Sequence, residues 1–366
     1  MPRRFVRRAL LRGAWAGVGG AAAGLAVRRR SGPVVAGVVA AGAAGATAVA
    51  STRVWPVAPR SPARIRPALT PVDGEARPDG GGITFVVNPG AGSVDKLDLP
   101  ELLAEELPAA RVRVVDDDLD EALAEAAEGA AIGIAGGDGT INAAAAVAHA
   151  GGKPLVIVPA GTLNHLARDL GLDGPEDTIA AVRDGHLVAV DLGSIDGKPF
   201  LNTASFGSYS DLVDARERLE GQIGKWPAMV VALVRVLRRG EPTLVELDGE
   251  ARSLWMIFIG NCRYHPRGFA PTWRERLDDG VLDVRLVGAE RPWARTRLVL
   301  AVLTGTLGRT AVYEERAVER LQLRSLEGPL RLARDGETFD GGTDVLVCKE
   351  DQPLAVYVPE RDDAPD

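Results

Sequence analysis

The chain is poor in the residues that build cross-linked or metal-cored proteins. It has two cysteines in 366 residues. Cys262 and Cys348 each lie inside an apolar run, which marks them as core thiols and excludes a disulfide framework. No Cys/His cluster has zinc-ligand spacing, and four scattered histidines exclude a histidine-rich metal site. Acidic residues are missing until Asp73. Twelve arginines and no lysine precede it, so 31 of the 43 basic residues are left to face 50 carboxylates. The body therefore carries about −19, although the whole chain carries only −7. So acidic a body has no basic face to set against phosphates, which excludes nucleic acid as a partner.

What the chain has instead is glycine at the ends of short apolar runs. Residues 131–135 run into Gly136-Gly137-Asp138-Gly139-Thr140. Residues 155–158 run into Pro159-Ala160-Gly161-Thr162-Leu163-Asn164, and residues 83–87 into Asn88-Pro89-Gly90-Ala91-Gly92-Ser93. Each is a strand ending in a glycine loop and followed by a helical pattern. Glycine lets the chain turn sharply and lets a ligand approach the backbone. Amides at a helix start favour an anion. Asp138 among them is better suited to a metal, a proton or a hydroxyl than to phosphate. All three loops fall at the carboxyl ends of parallel strands, where open α/β sheets bind ligands.

The chain divides by texture. Residues 1–55 hold two uncharged runs between arginines, 13–27 and 31–52, of 15 and 22 residues. A membrane span needs ~20 apolar residues, so the second run is long enough. A membrane-associated helical extension, an Arg/Ala-rich leader and a targeting segment are the three readings of this region. Residues 56–82 form a proline-rich linker ending in three glycines. Residues 83–192 alternate strand and helix, which predicts an α/β domain with a parallel sheet covered on both faces. From residue 193 to 359, short alternating runs predict a β-rich, sandwich-like second domain, with helical insertions near 210–220, 226–239 and 292–304. The strand at 354–358 is expected to return and close the structure, and 360–366 to be a disordered tail. A cleft between the domains is the natural active site.

The ordered set Asn88 to Gly92, Gly136 to Thr140, Gly161 to Asn164, Asp278-Asp279-Gly280 and Asp335-Gly336-Glu337 resembles the lipid kinases of the diacylglycerol kinase type, which are related to sphingosine kinases. The resemblance covers roughly residues 83–359. The Gly-Gly-Asp-Gly-Thr element alone is shared with NAD kinases and phosphofructokinases. The run up to residues 51–59 is also similar to the tail of a phosphatidic acid phosphatase-type membrane domain. That family's catalytic motifs have no match here, so the expectation is a remnant that anchors and does not hydrolyse.

The resemblance implies an ATP-dependent kinase that acts on the hydroxyl of a membrane lipid, foremost diacylglycerol, at the cytoplasmic face of the cell membrane. A sphingoid base or other lipid is the alternative acceptor. The rival classes are a soluble NAD kinase-type enzyme and a lipid-binding scaffold without activity. A homodimer is compatible with all of them. ATP phosphates would rest on the loop amides of Asn88–Gly92 and Gly136, Gly137, Gly139 and Thr140. Asn88, Thr140, Thr162 and Asn164 would add side-chain bonds, and Gly161 a close backbone approach. Thr162 serves equally well as a helix cap. Glu337 is the candidate general base, with Asp138 competing for that role. By resemblance, Asp279 holds Mg²⁺, linked through water to Asp138, with backbone oxygens of Arg276 and Val281 nearby. One position departs from the pattern: His165 stands where many relatives have Asp, and an imidazole cannot replace a carboxylate in a metal network. Phe269 and Trp273, in an apolar loop, line an acyl path, touch a membrane or pack under the loop.

Overall fold

The computed structural model describes residues 66–89, 98–115, 118–161, 164–207, 219, 225–268 and 271–360. The expected N-terminal extension, most of the tail and the insertion near 210–220 lie outside these residues, as do Gly92, Thr162 and Phe269. Among the described residues no helix is long and apolar enough to cross a membrane.

Four parallel strands form the heart of the first sheet: β2 (Ile83–Val87), β3 (Arg111–Val114), β4 (Ala131–Gly136) and β5 (Leu155–Pro159). All of β2 and β4 is buried, as continuous apolar runs require in a strand covered on both faces. The two-residue period sorts their side chains. Val86, Ile132, Ile134 and Ile157 face α2 (Leu119–Ala126), α3 (Asp138–Ala150) and α4 (His165–Leu170). Phe85, Val87, Val156 and Val158 face α1 (Leu99–Glu106) and α5 (Pro175–Asp184). Local signals begin these helices: the Asp118 carboxylate accepts the Glu121 amide at 3.1 Å, and Pro175 opens α5 behind Gly174.

The complete order is β1-β6-β20-β5-β4-β2-β3. It corrects the sequence expectation in two places. A strand, β1 (Thr70–Val72), lies inside the stretch taken as linker and pairs antiparallel with β6 (Leu187–Val190). The closing strand, β20 (Leu354–Tyr357), inserts between β6 and β5, antiparallel to the first and parallel to the second. The sheet is therefore mixed. A short apolar run signals a buried strand but not which sheet it completes, so the sequence left that choice open.

The second sheet has the order β18-β17-β9-β11-β10-β16-β19-β7-β8, with β14 and β15 branching from β11. Its strands are β7 (Gly193–Ile195), β8 (Lys198–Phe200), β9 (Thr203–Gly207), β10 (Thr243–Leu247), β11 (Glu250–Asn261), β14 (Leu282–Gly288), β15 (Tyr313–Val318), β16 (Arg320–Ser325), β17 (Arg331–Arg334), β18 (Glu337–Asp340) and β19 (Asp344–Lys349). A small hairpin, β12 (Tyr264–His265) and β13 (Trp273–Arg274), stands apart. The long β11 gives its first half to β10 and its second half to β9 and β14, with a register shift between Leu254 and Met256. The sheet can thereby fold over itself. Val245, Leu321 and Val345 from one arm meet Phe206, Ile257 and Val284 from the other in a single core. Two helices, α6 (Lys225–Arg239) and α7 (Ala294–Thr304), pack over Trp255, Met256 and Val287.

Phe85 sits opposite Gly133, and a Cβ at Gly133 would fall 2.3 Å from the Phe85 ring. Gly133→Ala is expected to cost about 1–3 kcal/mol by overpacking, read from the urea midpoint. Gly308→Ala, where a new Cβ meets nothing within 4 Å, is the control and should leave the midpoint in place.

Candidate functional site

The glycine loop after β4 becomes the first turn of α3. Gly137 occupies the N-cap with no side chain capping the helix, so the amides that open α3 meet no capping oxygen. The loop after β5 is pressed against it: a Cβ at Gly161 would lie 2.5 Å from the Gly137 Cα, so only glycine fits. Asn164 takes the left-handed conformation, φ 48°. Its side chain closes on Gly161, accepting the Gly161 amide at 2.9 Å and donating to the Gly161 carbonyl at 2.8 Å. Asn88 donates to the buried Thr140 hydroxyl at 3.0 Å. Three side chains expected to reach phosphates thus also shape the loops, and the Thr140 hydroxyl, an acceptor in its bond, keeps its own hydrogen to donate. Asp138 accepts the main-chain amide of His165, the first residue of α4, at 2.8 Å.

Glu337 arrives from the second sheet. β17 and β18 are joined by the two-residue turn Asp335-Gly336, with φ 47° and 90°. Positive φ at both positions suits the tight hairpin turn for which Asp-Gly is favoured. The Asp335 carboxylate accepts the amides of Leu201, Asn202 and Thr203, each at 2.8 Å, and its own amide donates to the Thr203 carbonyl at 2.7 Å. Burial raises the Asp335 carboxyl above the usual range, although the three amides pull the other way. Clamped in this way, the hairpin places the exposed Glu337 over the glycine loop: its Oε1 would stand 3.4 Å from a Cβ on Gly139.

Segment 201–202 is also gripped by Arg274, whose side chain is fully buried. Its guanidinium donates to the Leu201 carbonyl at 2.8 Å and to Asn202 Oδ1 at 3.2 Å. It also pairs with Asp169 of α4 at 2.6 Å. Arg274 therefore joins the helix beginning beside Asp138 to the segment that anchors the Glu337 turn.

Asp279 is half-buried, and it accepts the Arg263 and Val281 amides at 2.8 and 3.1 Å. Its ligand atom lies within 4.8 Å of those of Asp191 and Cys262. That cluster already has a cation. The Lys349 ammonium sits 3.0 Å from Asp191, 2.6 Å from Asn261 Oδ1 and 3.5 Å from the Cys262 sulfur. Burial pushes the Cys262 thiol up to about 12, so it stays protonated and is no ligand for a hard ion. Asp279 itself, an oxygen donor with unused lone pairs, fits Mg²⁺; Asp191 and Cys262 do not belong to the set. Of the two carbonyls expected beside it, that of Val281 accepts the Cys262 amide at 3.0 Å, leaving one lone pair. The Arg276 side chain pairs with Asp278 at 2.9 Å.

Trp273 is half-buried and stacks on His265 with ring centroids 4.6 Å apart, which favours packing under the loop over contact with a membrane. Asp191, Lys349, Asp335 and Arg274 were not singled out as structural ties from sequence. Asp335 alone lay inside a motif. The others stand in ordinary strand-end positions with no spacing to mark them.

Comparison with known proteins reports on the family and the fold. Residues 82–195 match the diacylglycerol kinase catalytic domain. A protein of Pseudomonas aeruginosa named "Probable lipid kinase YegS-like" is 31% identical over 242 residues, 64% of this chain and 79% of that one. A diacylglycerol kinase of Mycobacterium tuberculosis is 29% identical over 57% of this chain and 70% of its own. The crystal structure of a diacylglycerol kinase from Bacillus anthracis superposes with a TM-score of 0.52 at 19% identity, over 75% of this chain and 96% of that one, and so shares the fold.

Two outcomes follow from the site's bonding. Asp335→Ala strands three amides and should lower stability by about 3 kcal/mol, whereas Asp335→Asn, which keeps an acceptor and tolerates positive φ, should lose about 1 kcal/mol. Thermal denaturation of the two variants would show it. At pH 8, mass mapping after iodoacetamide should find Cys262 unlabelled in the native chain and labelled in guanidinium; rapid native labelling would contradict the buried, protonated thiol.

Proposed function

The chain belongs to the diacylglycerol kinase-type family of lipid kinases, and from that premise we propose that it transfers the γ-phosphoryl group of ATP to the free hydroxyl of diacylglycerol, giving phosphatidic acid. The observation that carries the mechanism is the Glu337 carboxylate over Gly139, where a strand of the second sheet reaches the glycine loop of the first. Phosphoryl transfer needs positioning, charge neutralisation and one acceptor for the proton of the attacking hydroxyl. The uncapped amides at the start of α3 supply the first, since they point at any anion laid on the loop. Glu337 supplies the last: as the lipid oxygen bonds to phosphorus and ADP leaves, the hydroxyl proton passes to its carboxylate. Asp138 is less suited to that task, because its Oδ1 already accepts the His165 amide. Mg²⁺, held by Asp279, would neutralise phosphate charge.

The acceptor is assigned to diacylglycerol on the names of relatives such as that of Mycobacterium tuberculosis. We place the enzyme at the cytoplasmic face of a membrane because both the lipid and the nucleotide must reach it. The apolar, arginine-flanked residues 1–55 support that placement.

Purified full-length protein incubated with labelled ATP, Mg²⁺ and a total lipid extract should label phosphatidic acid. Glu337→Gln should lower kcat by ~10²–10⁴-fold with little change in the KM for ATP. Label on a sphingoid base or another lipid would refute the acceptor. Retained activity in Glu337→Gln, with loss in Asp138→Asn, would transfer the base role to Asp138.

A further inference from the structure

Among the described residues, seven large apolar side chains remain exposed, and four of them fall on two adjacent helices. Val231 of α6 is 40% exposed; Trp293, at the N-cap of α7, is 80%, Leu300 52% and Leu303 39%. On α7 the spacing is i, i+7 and i+10, with Arg297 at i+4, so one stripe of the helix presents these residues. The opposite stripe, Ala294, Leu298 and Ala301, is buried against Trp255 and Val287. The helix is amphipathic toward the core and apolar again on its outer side. Trp293 holds φ 59°, a left-handed conformation that strains a bulky residue, and yet its ring is left in water. Packing among the described residues gives no reason for that side chain.

Charge says what could cover it. Residues 291–312 contain four arginines and no carboxylate, and residues 225–239 contain four basic residues and no carboxylate, in a body of about −19. Arg295 crosses between the helices, lying over the Trp255 ring at 5.7 Å and donating to the Gly240 carbonyl at 3.3 Å. Of the bordering carboxylates, Glu290 and Glu314 are engaged by Arg252 and Glu315 by Arg267, while Glu241 follows α6. Among the described residues no ion pair neutralises Arg291, Arg297 or Arg309. A second copy would bring the same positive face and be repelled. The N-terminal extension, with twelve arginines and no acid before Asp73, would be repelled as well. An anionic lipid surface satisfies both features: arginines at the headgroups, with tryptophan and leucine at the acyl boundary.

We propose that the outer face of α6 and α7 docks on an anionic lipid bilayer through Trp293, Leu300 and Leu303, with Arg297 at the headgroups. The proposal rests on the lipid-kinase reading, which requires the acceptor to be drawn from a bilayer, and it adds a second contact distinct from the N-terminal extension. The extension would bind vesicles by itself, so the test must report on Trp293 locally. Full-length wild type and Trp293→Phe are mixed with vesicles of brominated phosphatidylcholine containing about one-third phosphatidylglycerol, and tryptophan emission is followed. Wild type should show a quenched component that Trp293→Phe lacks, that is weak on pure phosphatidylcholine and that fades as salt rises. Leu300→Ser with Leu303→Ser should weaken that component by about tenfold in lipid concentration while leaving activity on detergent-dispersed lipid unchanged. Equal quenching in wild type and Trp293→Phe would overturn the proposal. So would a concentration-dependent dimer that Trp293→Ala dissolves, which would make the face a contact between copies. Absence of lipid phosphorylation in detergent would instead defeat the kinase reading, and the quenching result would stand apart from it.

Discussion

The grip of one carboxylate on three consecutive amides organises the site. Asp335 accepts Leu201, Asn202 and Thr203, and thereby fixes the turn on which Glu337 stands. An exposed glutamate on a two-residue turn would otherwise sweep a wide volume. The far side of segment 201–202 is held by Arg274, and Arg274 by Asp169 on α4, whose first amide binds Asp138. The path closes on itself: Glu337 lies over Gly139, the neighbour of Asp138. A displacement at any member passes to the gap between carboxylate and loop, and an error of about 1 Å there is costly to catalysis. The buried Arg274–Asp169 pair need not add net stability, because desolvation cancels much of the attraction. Its contribution is to leave only one arrangement in which both charges are satisfied.

A second tie operates where the chain crosses back. Asp191 follows β6, Lys349 ends β19, and the chain then runs straight into β20, which pairs with β6. The Lys349–Asp191 contact, with the lysine side chain 9% exposed, sits at the root of that crossing. It neutralises the Asp191 carboxylate, whose ligand atom lies within 4.8 Å of that of Asp279, and so relieves the repulsion between the two. The loop bearing Asp279 is fastened to the same place, since the Gly280 amide donates to Asp191 at 2.8 Å.

Most of the first sheet was legible because its strands are continuous apolar runs ended by glycine, a signal that reports both the strand and the loop beyond it. β2, β4 and β5 came out within a residue of their observed bounds for that reason. β1 was hidden by Pro71 and a polar flank, since three residues on an edge strand carry no period. β7, β8 and β9 are three to five residues long and separated by turns of a few residues, too short to show a period of their own. The motif residues were legible as chemistry, but their roles were not. Asn88, Thr140 and Asn164 read as ligands for phosphate, yet each also takes part in holding a loop. Whether an amide side chain faces a ligand or its own backbone depends on φ and on partners distant in sequence, neither of which a motif states. Trp293 carries no sequence signal, because a lone tryptophan beside a proline reads as core or turn, and only its exposure tells otherwise.

His165 looked like damage to the metal network because it replaces a carboxylate. The structure moves the question to the backbone. The imidazole is exposed, and what Asp138 uses at this position is the main-chain amide, which any residue other than proline provides. The substitution therefore leaves Asp138 in place. A similar economy applies to the nucleotide. With the Asn88 and Asn164 side chains holding loops, the donors that the described residues leave for an anion are the backbone amides at the start of α3 and the Thr140 hydroxyl. Amides carry no net charge and raise no desolvation penalty of the kind a buried lysine would. They act, however, against a body of about −19, whose field opposes an approaching polyphosphate. Partial charges at one helix start, about half an elementary charge in sum, cannot offset that alone. Asp279, whose carboxylate keeps free lone pairs, would be the residue to hold a divalent cation, and such an ion would supply the positive charge that dipoles at one helix start lack.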